Sequence, residues 1–82
     1  MKYIDQDNPR FTYYIRETLN GFAIQVLNVQ RDERFPLTHG IANQLGLALP
    51  DGFRCHCSAN EKDQLVAQLR SLADLNGLIE IE

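Results

Sequence analysis

Between Phe11 and Val29 apolar and polar positions alternate in two runs separated by a turn signal. Phe11, Tyr13 and Ile15 interleave with Thr12, Tyr14 and Arg16, the two-residue period of a half-buried strand rich in aromatic and β-branched residues. Phe22 to Val29 resumes the period after Asn20-Gly21, and Asn-Gly between two such runs predicts a hairpin. Connections of two or four residues share one parity, so either sets Phe11, Tyr13 and Ile15 beside Phe22, Ile24 and Val26. That face is the expected core. The other face carries Thr12, Tyr14, Arg16, Ala23, Gln25 and Leu27, free to be wet or to meet another surface.

The period then lengthens. Residues 30–34 are charged and read as a solvated connection, after which Thr38 is a credible N-cap for a short helix with Leu37, Ile41, Leu45 and Ala48 or Leu49 on one stripe. Gly40 and Gly46 weaken this helix, and Pro50-Asp51-Gly52 ends it. Phe53, Cys55 and Cys57 alternate with Arg54, His56 and Ser58, which predicts a third strand with both sulfurs inward. Ser58 and Glu61 have capping-box spacing, Leu65, Leu69, Leu72 and Ala73 form the stripe of a second helix, and Asn76-Gly77 supplies its stop. The chain closes on a strand in which Ile79 and Ile81 are expected inward and Glu80 and Glu82 outward. Residues 1–10, with Asn8 and Pro9, read as a loosely ordered lead-in to a domain spanning 11–82.

The expected fold is a single α+β domain of order ββαβαβ. Its last three elements are expected to form a crossover with parallel strands, giving a four-stranded mixed sheet with two helices packed on one face. At 82 residues one core is all the chain can build. A hydrophobic fraction of 44% supplies the apolar area that disordered chains lack. No apolar run approaches the ~20 residues of a membrane helix, and residues 1–5 lack the apolar core of a signal peptide. Cys55 and Cys57 are too close in sequence for an unstrained disulfide and read as reduced thiols, which favours a cytoplasmic setting.

Candidate chemistry is sparse. Cys55-His56-Cys57, with His39, offers soft metal ligands or a thiol nucleophile, but strand parity sends His56 to the opposite side from the two sulfurs. Small buried side chains beside an exposed histidine are the expected reading, with no metal and no cofactor. The carboxylates fall into a loop, a helix start and a strand edge, so no enzymatic activity is expected.

Ile41-Ala42-Asn43-Gln44-Leu45-Gly46-Leu47-Ala48 resembles the first helix and turn of the helix-turn-helix family of DNA-binding proteins. The resemblance implies a close helix contact at Ala42, a turn at Gly46, and a recognition helix drawn from residues 48–56, where Arg54 is the available cation. Leu49-Pro50-Asp51-Gly52 followed by a strand pattern departs from it. The net charge of −3 also disfavours nucleic acid, since phosphate-binding chains carry a cationic excess.

What remains is a small non-enzymatic binding module: an adaptor, regulator or inhibitor with a protein partner, or a homodimer. Its expected partner-binding residues are Tyr14, Arg16, Gln25 and Leu27, residue types that suit interfaces, with Arg54 as an additional cation.

Overall fold

A computed structural model describes all 82 residues. Strands β1 (Lys2–Asp5), β2 (Asn8–Thr18), β3 (Gly21–Asn28) and β4 (Glu33–Pro36) come first, followed by helix α1 (His39–Gln44). Strand β5 (His56–Ser58) then leads through a 3-10 turn (Ala59–Glu61) into helix α2 (Lys62–Asn76) and strand β6 (Ile79–Glu80). The architecture is α+β: one six-stranded sheet in the order β4-β3-β2-β1-β6, with β5 also pairing β3, and two helices. Every pairing is antiparallel. No helix is long and apolar enough to cross a membrane.

The hairpin follows the alternation that predicts it. Thr18 pairs Gly21 across a two-residue connection, Leu19-Asn20, and the register runs on through Ile15↔Ile24 and Tyr13↔Val26. Ile24 and Val26 are fully buried and Tyr13 nearly so, while Phe11, Ile15 and Phe22 pack partly buried beside them. Leu65, Leu69, Leu72 and Ala73 of α2 press onto this face, and Leu37, Ala42 of α1 and Phe53 complete the same cluster. A Leu side chain taken from water into such a cluster contributes about 2 kcal/mol, so the α2 stripe is a principal source of stability.

The helix termini carry the expected caps. Thr38 Oγ1 accepts the Ile41 N–H at 3.2 Å at the start of α1. Ser58 and Glu61 form a capping box, although it closes the 3-10 turn that leads into α2 rather than α2 itself. The hydrogen bond from the Ser58 hydroxyl holds the Glu61 carboxyl below its ordinary pKa. Gly77, at φ 65°, ends α2 in the left-handed conformation that glycine adopts without a Cβ clash. Asn76 binds the stretch after α1 to the end of α2: its amide donates to the Ala48 carbonyl at 2.8 Å, and its oxygen accepts the Ala48 N–H at 2.8 Å.

Four expectations need correction. The four-stranded sheet is six-stranded, because one segment read as a lead-in and one read as a connection are strands. Residues 1–10 are no loose lead-in, since β1 lies between β2 and β6 and Tyr3 is buried. Residues 33–36 form β4, after a turn in which Asn28 Oδ1 accepts the N–H groups of Gln30 and Arg31 and Asp32 takes φ 52°. The sheet is antiparallel rather than mixed: β5 and β6 run in the same direction, but β3, β2 and β1 stand between them. Finally, Leu78 takes the buried position at the end of the chain, which leaves Ile79 and Ile81 at 39% and 48% exposure. Ile79 pairs Ile4, on the sheet face away from α2.

Candidate functional site

The two faces of the sheet end up unequal. Both helices contribute to the cluster on one side, and no element covers the other. Register defines the open face row by row. One row runs Ile79, Ile4, Thr12, Leu27 and Arg34 across β6, β1, β2, β3 and β4. The next runs Lys2, Tyr14, Gln25 and Pro36, with Ile81 hydrogen-bonded to the Lys2 backbone at its margin. A third holds Arg16, Ala23 and His56.

Tyr14 and Gln25 stand directly opposite each other, and the Tyr14 hydroxyl donates to Gln25 Oε1 at 3.5 Å. This long bond leaves both groups available to another partner. Leu27 lies half-buried between Thr12 and Arg34, and Arg16 is exposed beside Ala23. Four of the five sequence-nominated residues therefore share one surface. Arg54 does not join them: its N–H donates to Gln68 Oε1 of α2, and its guanidinium lies 3.8 Å from the Glu61 carboxylate at the end of the 3-10 turn before α2.

Sequence reasoning missed Ile4, Ile79, Ile81, Lys2 and Arg34, which extend the surface into β1, β6 and β4. The alternation Lys2-Tyr3-Ile4-Asp5 is a signal that would have placed Ile4 opposite Tyr3, but four residues before an Asn-Pro pair are easily taken for a tail.

The other nominated chemistry is dispersed. Cys55 and Cys57 pack half-buried against the core, but β5 starts only at His56, so Cys55 lies outside the expected strand. Its sulfur comes within 3.8 Å of Nδ1 of the exposed His56 rather than facing away from it. His39 stacks edge-on against Phe53, its ring centroid 5.8 Å away. Nowhere do three His, Cys, Asp or Glu side chains converge as metal ligands would. A cavity of about 390 Å³ opens between α2 and the ends of β2 and β3, lined by Met1, Ile15, Glu17, Phe22, Lys62 and Val66. Its Lys62 ammonium lies 5.0 Å from the centre of the Phe22 ring, and it holds no nucleophile beside a base. Where the helix-turn-helix pattern requires a recognition helix, residues 48–56 are a loop entering β5.

No known protein family, curated protein or solved structure matches this chain.

Proposed function

We propose that this protein is a non-enzymatic binding module that occludes or bridges a protein partner through the open face of its sheet. One observation carries the reading: Tyr14, Arg16, Gln25 and Leu27 lie together on a face that no helix covers, continuous with half-buried Ile4 and exposed Ile79. A half-buried sheet face that faces water is ordinarily polar, so aliphatic side chains on β6, β1 and β3 in one row call for a second surface. Tyr and Arg beside that strip are the side chains interfaces use most, because they bury large area or make several hydrogen bonds with few torsions to freeze.

The test is affinity capture from nuclease-treated lysate with the natural protein and with Tyr14→Ser/Leu27→Ser. The reading expects a defined protein recovered by the former and lost with the latter, while the double variant stays folded by circular dichroism. Equal recovery by both would refute it. Recovery of DNA only when nuclease is omitted would favour the helix-turn-helix resemblance instead.

A further inference from the structure

Taking the open face as the binding surface, we infer that the partner presents a carboxylate-rich protein surface around exposed aliphatic or aromatic side chains. The inference comes from how charge is distributed. The chain carries 11 carboxylates against 8 lysines and arginines, yet the register puts Lys2, Arg16 and Arg34 on the open face and no Asp or Glu. The carboxylates lie in turns, on and around α2, and on the helix-covered side of the strands. One reaches across: Glu82 pairs Lys2 at 2.9 Å, which holds the Glu82 carboxyl below its ordinary pKa. Arg16 and Arg34 have no carboxylate within ion-pair distance and are exposed.

The two free guanidiniums also sit at opposite ends of the patch. Arg34 closes the Ile79-Ile4-Thr12-Leu27 row at the β4 edge, and Arg16 stands one row beyond Tyr14 towards the hairpin turn. An apolar centre with charge at its rim is the anatomy of a protein interface, in which rim charge steers approach and fixes register. A second copy of this chain is the wrong occupant, because a twofold contact through this face would lay arginine-bearing surface on arginine-bearing surface. A nucleic acid fits less well than an acidic protein. Tyr14 and His56 are the aromatic rings the register puts there, in two rows that flank an aliphatic centre rather than forming a continuous stacking platform for bases.

The experiment is a titration of ¹⁵N-labelled protein, followed by amide shifts, with three probes. These are a short peptide of Glu and Asp surrounding two Leu, its counterpart with Lys at every acidic position, and a single-stranded RNA oligonucleotide. The acidic peptide is expected to shift the amides of Tyr14, Arg16, Leu27 and Arg34 while leaving α2 unmoved. Its affinity is expected to fall about tenfold or more in Arg16→Glu/Arg34→Glu, whose exposed positions leave folding intact. The inference is overturned if the acidic peptide does not shift this face, if the lysine peptide or the RNA binds it as well or better, or if charge reversal leaves the affinity unchanged. If capture in lysate depends on Tyr14 and Leu27 but not on Arg16 and Arg34, the binding face stands and the acidic partner does not. Capture independent of all four removes both.

Discussion

The two faces of one sheet are built from neighbouring residues of the same strands, yet they serve opposite ends. On β3, Ile24 and Val26 point into the helix-covered cluster and are fully buried, while the alternate residues Gln25 and Leu27 stay half-buried with no helix above. On β2, Tyr13 is sealed beneath the helices while the adjacent Tyr14 keeps its hydroxyl within reach of solvent and of Gln25. Alternation thus lets one stretch of sequence specify a core and an uncovered surface at once, because a side chain's face is set by parity and not by its chemistry. The cost of an error differs between the faces: removing volume from the first opens a cavity, and removing it from the second exposes nothing new.

That difference can be broken or sharpened by substitution. The largest effect is expected on the covered side, where Leu69→Ala leaves a void in a closely packed cluster and should lower stability by about 2–5 kcal/mol in a urea titration. A loss below about 1 kcal/mol would mean that α2 is not packed on the sheet as described. Next comes Gly21, whose position is dictated by crowding rather than by backbone conformation: a Cβ there would run into the Cys57 carbonyl oxygen and the Ser58 backbone of β5. Gly21→Ala should therefore displace β5 and cost about 1–3 kcal/mol. Unchanged stability would show that β5 does not lie against the start of β3.

A further effect, read by pH, belongs to Tyr13 on the covered side. Burial, reinforced by the nearby Asp5 charge, pushes the Tyr13 phenol up from 10.0 to about 12. The neutral form is favoured in the folded state, so stability should be level below pH 10 and fall as pH rises from about 10 to 12, by roughly 3 kcal/mol in all. Tyr13→Phe should flatten that alkaline limb in pH-dependent melts, and an unchanged limb would take the Tyr13 phenol out of the covered cluster.

How much of this was legible depended on how many residues repeated each signal. Eight paired positions on each strand of the β2–β3 hairpin made its buried face readable from alternation alone, although the connection is Leu19-Asn20 and not the expected Asn20-Gly21. The α2 stripe repeated over enough turns to name all four of its buried residues. Shorter elements had no such redundancy. β1 and β4 have four residues each and β6 two, so neighbouring Asn, Pro and charged residues outweighed their brief alternation. The end of the chain failed through parity: with Leu78 taking the buried position, a shift of one residue turned Ile79 and Ile81 from core into surface. For the same reason the candidate site was half legible. Tyr14, Arg16, Gln25 and Leu27 followed from the hairpin, whereas Ile4, Ile79 and Arg34 required knowing that β1, β6 and β4 line up beside it. The segregation of charge was hidden as well, because a net charge of −3 says nothing about which face holds the cations.

The division of labour between the two faces is tested most directly by measuring folding and capture on the same preparation of Tyr14→Ser/Leu27→Ser. The expected result is a melting temperature within a few degrees of the natural protein together with loss of the captured partner, since exposed-face changes usually cost little stability. A double variant that unfolds would place these residues in the core after all, and one that stays folded and captures its partner undiminished would remove the open face from the protein's function.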